Sequence, residues 1–169
     1  NITAASLVRG VGGFAGYITG SAPSVLTNCT VSNSTIKQTQ TTLDETYKCY
    51  HVAGLVGCVD SDSKFASCST TSVDITMQGR TYYLGGLIGS TYSDTIQTTA
   101  ANGMITVKNC AVDDCVILTK NSRNCNEFGG LVGWLSEGGT VTDCYVSAVT
   151  NPANTNSSHV GGLIGYIPE

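Results

Sequence analysis

The sequence predicts an all-β fold, a β-solenoid or β-helix of about four to five rungs, each rung one turn of the coil. Three observations carry this prediction. A six-residue segment recurs, as Val11-Gly-Gly-Phe-Ala-Gly16, Val52-Ala-Gly-Leu-Val-Gly57, Leu84-Gly-Gly-Leu-Ile-Gly89, Phe128-Gly-Gly-Leu-Val-Gly133 and Val160-Gly-Gly-Leu-Ile-Gly165. Between the copies a second segment recurs, as Asn28-Cys-Thr-Val31, Ser67-Cys-Ser-Thr70, Asn109-Cys-Ala-Val112 and Asp143-Cys-Tyr-Val146. Helix signals are poor: Thr, Ser, Val and Gly abound, and no long stretch repeats with the period of an amphipathic helix.

The first segment sets the rung length. Its central glycine stands at 13, 54, 86, 130 and 162, in steps of 41, 32, 44 and 32, so long and short repeats alternate. Cys49 and Cys125 are 76 residues apart, as are Cys68 and Cys144, which suggests a two-rung unit used twice. The reading is a single repeat domain over residues 1–169 with rungs centred on Gly13, Gly54, Gly86, Gly130 and Gly162, whole or part of a longer array. In four of the five copies a Leu or Phe has Gly on either side at i−2 and i+2, Ala53 replacing the first in the second copy, so it reads as a strand with one large side chain between two gaps. Such gaps admit a neighbouring backbone.

The second segment reads as a short strand entered through a turn. Cys and the Val or Thr two places later fall on one strand face, with the Cys inward. A rung of this length holds three strands with turns. A propeller is disfavoured, because the units alternate in length, lack Trp-Asp punctuation and are too few to close a ring.

Composition narrows the setting. Hydrophobic residues make up 41% of the 169 residues, enough for one domain with a real core. Charged residues are only 12% and the net charge is −4, with no basic stripe, so a nucleic-acid partner is not expected. No apolar stretch approaches the roughly 20 residues that span a bilayer. The chain opens at Asn1 without Met, and it reads as a mature or excised segment.

The eight cysteines, Cys29, Cys49, Cys58, Cys68, Cys110, Cys115, Cys125 and Cys144, form no C-x2-C pair, and His51 and His159 are isolated in sequence. Disulfides are therefore expected rather than a zinc site. Cys29, Cys68, Cys110 and Cys144 hold equivalent positions and are candidates to bridge neighbouring rungs, whereas Cys58 with Cys68, or Cys115 with Cys125, would staple loops. The sequence does not choose between these schemes. Sequons at Asn1, Asn28, Asn33 and Asn156 mark candidate N-glycosylation sites, Asn33 and Asn156 being the better carriers because Asn28 abuts Cys29. Cysteines and sequons together place the protein outside the cell or at its surface.

The recurring Gly-Leu-[Val/Ile]-Gly resembles the GLUG motif, with matches at Gly54-Leu-Val-Gly57, Gly86-Leu-Ile-Gly89, Gly130-Leu-Val-Gly133 and Gly162-Leu-Ile-Gly165 and a degenerate copy at Gly13-Phe-Ala-Gly16. The resemblance implies a β-solenoid in a secreted or cell-surface protein, with scaffolding or adhesive use and no catalytic residue.

The residues themselves offer little chemistry. His-Glu-x-x-His and Gly-x-Ser-x-Gly are both absent. Gly10-Val-Gly12-Gly-Phe-Ala15 fits a loose dinucleotide pattern, yet no helix signal follows it. Asp60, Asp62, Asp113 and Asp114 lack the punctuation of a calcium loop and read as solvated turns. No cofactor, metal or catalytic residue is expected.

Two non-catalytic readings remain. In the first, open rungs stack head to tail into a homo-oligomeric filament or surface stalk, burying Val11, Phe14, Leu163 and Ile164. In the second, a carbohydrate- or host-binding adhesin module uses Tyr17, Trp134 and Tyr166 as an aromatic row against a glycan. These three aromatics directly follow Gly motifs, at the position Cys58 and Ser90 take in the other rungs.

Overall fold

The computed structural model describes residues 1–4, 8–20, 22–39, 49–91, 104–119, 125–149 and 158–168. Within them the chain is all β and coils so that strands pair in parallel with strands one turn away. A short β1 (Ile2–Ala4) precedes the first complete rung. That rung comprises β2 (Val8–Gly12), β3 (Ala15–Ile18), β4 (Ser24–Thr27) and β5 (Thr30–Gln38). The second comprises β6 (Cys49–Ala53), β7 (Val56–Val59), β8 (Ser63–Ala66) and β9 (Ser69–Met77). The third comprises β10 (Thr81–Gly85), β11 (Ile88–Ser90), β12 (Ile105–Lys108), β13 (Ala111–Asp113) and β14 (Val116–Thr119). The fourth comprises β15 (Cys125–Gly129), β16 (Val132–Trp134), β17 (Thr140–Thr142) and β18 (Tyr145–Ser147). Of the fifth, β19 (His159–Gly161) and β20 (Ile164–Tyr166) are described.

Stacking these rungs gives four parallel walls, in the orders β2-β6-β10-β15-β19, β3-β7-β11-β16-β20, β4-β8-β12-β17 and β1-β5-β9-β13-β18, with β14 also on β9. A rung thus has four walls where three strands are expected from its length. The extra wall comes from the Gly motif, which is not one strand but two with a corner between them. Gly13-Phe14 is the corner between β2 and β3, and its equivalents join the same two walls in every rung.

The corner explains the glycine. Its backbone N–H donates to the carbonyl of the glycine one rung on, from Gly13 to Gly54 at 3.0 Å, Gly54 to Gly86 at 3.0 Å and Gly86 to Gly130 at 3.1 Å. A Cβ on Gly54 would lie 2.4 Å from the Gly86 carbonyl oxygen and 2.8 Å from Thr70 Cγ2. No side chain fits there. Thr70 is the β-branched residue of the second repeated segment, and its Oγ1 donates to the Gly86 carbonyl at 3.1 Å.

A second set of corners leads into the Cys segments. Asn28, Ser67, Asn109 and Asp143 hold φ of 56°, 54°, 53° and 53°, the left-handed region, at matching positions in successive rungs. Asn and Asp enter this region more readily than most residues, which accounts for the small polar residue before each Cys. Another left-handed column, Asn33, Ser72, Asp114 and Ala148, kinks the fourth wall. Hydrogen bonds tie these corners along the stack: Asn109 Nδ2 donates to Ser67 Oγ at 3.0 Å, and Ser72 Oγ to Asp114 Oδ2 at 3.0 Å.

The core runs up the middle of the coil. Leu55, Leu87 and Leu131 stack at the Gly corner and are wholly buried, with Phe65, Ile75 and Ile117 from the other walls. The same column ends in Phe14, 59% exposed, and Leu163, 36% exposed. Position along the stack, not residue type, decides burial here.

Candidate functional site

The aromatic row is real and longer than the sequence suggests. Tyr17, Cys58, Ser90, Trp134 and Tyr166 are in register along the second wall. Where that wall carries Cys58 or Ser90, the first wall supplies the ring instead, from His51 or Tyr83. The result is one continuous column. Tyr17 meets His51 edge-on at 6.0 Å, His51 stacks on Tyr83 at 5.1 Å, Tyr83 on Trp134 at 5.6 Å and Trp134 on Tyr166 at 6.2 Å. His159 caps it, its ring 4.6 Å from that of Tyr166 and its Nδ1 3.5 Å from Glu127 Oε1.

In the first four rungs only one of the two positions carries a ring, whereas the fifth carries both, His159 and Tyr166. Gly10 stands in register with His51, and a Cβ there would lie 3.0 Å from Tyr17 Cδ2. In the sequence His51 stands isolated and Tyr83 lies outside the row of Tyr17, Trp134 and Tyr166, so neither shows itself as part of the column. The signal was a complementary pair of positions, three residues before the central glycine and four after it: Gly10 with Tyr17, His51 with Cys58, Tyr83 with Ser90 and Glu127 with Trp134.

His51 is wholly buried, and neither ring nitrogen has a hydrogen-bond partner among the described residues. Burial lowers its pKa to about 4, so the imidazole is neutral at pH 7. Outside this column, Tyr50 stacks on Tyr82 at 5.0 Å, and the Arg80 guanidinium carbon lies 4.9 Å from the Tyr82 ring centre.

Stacked rings cohere, and a sugar docks on an aromatic through a free ring face. Both faces of Trp134 are covered, by Tyr83 and Tyr166.

All eight cysteines stand as thiols. Cys29, Cys68, Cys110 and Cys144 each open the fourth wall of their rung and form a ladder up the coil. Cys68 and Cys110 are buried, while Cys29 and Cys144, at the ends of the ladder, are partly exposed. Cys49 and Cys125 share a column, with Thr81 between them. Burial pushes the Cys49 thiol up to about 11 and that of Cys110 to about 12, and raises Cys68 and Cys115.

Of the sequons, Asn1, Asn28 and Asn33 are exposed, and Asn156 lies outside the described residues. The carboxylates at the turns bond to neighbouring rungs: Asp62 Oδ1 accepts the Met104 N–H at 2.7 Å, and Asp113 Oδ1 accepts from Ser147 Oγ. Among the described residues no group of three or more His, Cys, Asp or Glu is placed to hold a metal ion, and no helix is long and apolar enough to cross a membrane.

The residues expected at a junction fall at the two ends of the stack. Val11, Phe14 and Tyr17 lie on β2, its corner and β3; Leu163, Ile164 and Tyr166 lie on the fifth rung. Val11 is nearly buried and Ile164 half-buried, whereas Phe14 and Val160 are more than half exposed.

Comparison with known proteins agrees with this architecture. The family described as the GLUG motif matches residues 9–37, which run from β2 through β5 and make one complete turn. The chain is also 29% identical over 119 residues, 70% of its length, to Halomucin of Haloquadratum walsbyi (strain DSM 16790 / HBSQ001). It spans about 1% of the length of that relative. No solved structure matches the chain. The molecule is thus a repeat protein on a β-solenoid, similar to the GLUG motif over residues 9–37.

Proposed function

We propose that this repeat chain is an extracellular structural module, a β-solenoid that stacks end to end with further copies in a filament or surface stalk. The observation that carries the proposal is the pair of open ends. The outer edges of β2 and β3 at one end, and of β19 and β20 at the other, pair with no further strand among the described residues. Beside them stand apolar side chains whose counterparts in the middle rungs are buried: Phe14 at one end, Val160 and Leu163 at the other. An open parallel edge flanked by core residues is a template for another rung. Val160 would meet Val11 of the next copy, and Tyr166 would meet Tyr17.

The extracellular setting is supported by the exposed sequons at Asn1, Asn28 and Asn33, the low charge and the eight cysteines. The adhesin reading has less support, because the ring faces it would use are largely spent on neighbouring rings.

Electron microscopy of the purified full chain tests the proposal, with solution size as a check. Stacking of five rungs predicts filaments with an axial repeat of about 24 Å, at about 4.8 Å per rung. Val160→Lys, which puts a charge at an exposed position of the last described rung, is expected to give discrete monomers. A wild-type chain that stays monomeric at high concentration would overturn end-to-end assembly.

A further inference from the structure

We propose that the ladder closes as two disulfides, Cys29 with Cys68 and Cys110 with Cys144, tying the first rung to the second and the third to the fourth. Residues in register on adjacent parallel strands lie about 4.8 Å apart, within the roughly 4.4–6.8 Å between the Cα atoms of half-cystines. The four cysteines follow the same left-handed corner in each rung, so each leaves the backbone in the same setting.

The sulfurs already lean along the stack. Cys110 Sγ accepts the Cys68 backbone N–H at 3.4 Å, and Cys144 Sγ accepts the Cys110 N–H at 3.3 Å. Cys68 Sγ donates to the Leu26 carbonyl of the first rung at 3.5 Å. The thiols of Cys68, Cys110 and Cys144 thus each point to the rung before their own, Cys68 toward Cys29, Cys110 toward Cys68 and Cys144 toward Cys110. Pairing Cys68 with Cys110 is the competing arrangement, and it leaves Cys29 and Cys144 without a cysteine on an adjoining rung.

Among the described residues none of the other four cysteines has a cysteine in register on an adjoining strand. Cys49 and Cys125 are two rungs apart, about 9.6 Å, beyond the roughly 7 Å that a disulfide spans. Cys58 lies between Tyr17 and Ser90 in its column, and Cys115 lies beside Val73.

Closure proceeds by exchange with a small external disulfide such as oxidised glutathione. The Cys29 thiolate, at the exposed end of the ladder, attacks one sulfur of that disulfide, forming a mixed disulfide and releasing one thiolate. The Cys68 thiolate then attacks the Cys29 sulfur and releases the second. Two protein thiols become one disulfide, the external disulfide is reduced to two thiols, and the protons pass to the released thiolates. Cys144 and Cys110 react in the same way.

The test is oxidation of the reduced full chain with oxidised glutathione, alkylation of the remaining thiols, and peptide mapping without reduction. Trypsin separates Cys29 from Cys68, and cleavage before Asp separates Cys110 from Cys115 and Cys125 from Cys144. The expected result is two linked peptide pairs, 29 with 68 and 110 with 144, and four alkylated cysteines. Cys29→Ser should remove the first link and leave the second. A link between Cys68 and Cys110, a link drawn from the other four cysteines, or eight alkylated thiols would each overturn the pairing.

Discussion

Cγ1 of Val112 stands where the side chain of Gly86 would begin: a Cβ built on Gly86 falls 2.7 Å from it and 2.2 Å from the carbonyl oxygen of Gly130. The two repeated segments of the sequence are therefore two halves of one contact. The glycine of one brings the corner close, and the β-branched residue of the other fills what remains. Gly13 with Val31, Gly54 with Thr70 and Gly130 with Val146 repeat the pairing.

Adding one methyl at this corner should be costly in the middle of the stack and cheap at its end. Gly86→Ala is expected to destabilise by about 1–3 kcal/mol, because the atoms it meets include backbone fixed by the rung ladder. Gly162→Ala meets nothing within 4 Å and should change stability by less than about 0.5 kcal/mol. Urea unfolding of the two variants checks the contrast, and equal effects would sink the explanation.

The aromatic column predicts a compensating exchange between walls. Tyr83→Gly removes the third rung's ring and should cost about 2–4 kcal/mol. Adding Ser90→Tyr recreates the Gly10 and Tyr17 arrangement of the first rung and should recover at least half of that loss. If the double variant is no more stable than the single, the two positions do not share one slot.

His51 makes stability depend on pH. Its pKa is about 4 in the fold and 6.5 when unfolded, so the unfolded chain binds the proton first. The contribution is fully present above pH 6.5, falls as pH drops, and is lost below about 4. The difference corresponds to about 3 kcal/mol. His51→Phe, which keeps a ring in the column, should flatten the stability profile over this window in thermal melts at a series of pH values.

Corner geometry gives a fourth expectation. Ala148 sits at φ 48° with no side-chain oxygen to ease the strain, so Ala148→Gly should stabilise by up to about 1 kcal/mol. Asn109→Val, at φ 53°, should destabilise by about 1–2 kcal/mol. Denaturant midpoints of the two variants should move in opposite directions.

The all-β solenoid was legible in the sequence because its period is written in residues with steric work to do. Gly54 and Gly86 have no substitute at the corner, and Asn28 and Asn109 mark the left-handed turns. The corner between the first two walls was not legible, since Gly-Leu-Val-Gly alternates like a single strand until hydrogen bonding to the next rung is known. The aromatic column was half legible: Tyr17, Trp134 and Tyr166 share an offset from the glycine, whereas His51 and Tyr83 reach it from another wall. Proximity across a bend leaves no trace in the spacing of one strand.

The parallel register has a consequence for how such a chain changes length. Each strand pairs only with strands one turn above and below, and columns such as Leu55, Leu87 and Leu131 repeat without offset. Duplicating or deleting a whole turn changes the number of interfaces and not their kind. Genetic drift in copy number therefore meets little structural resistance here, while an insertion of a few residues inside a strand would throw every column above it out of line.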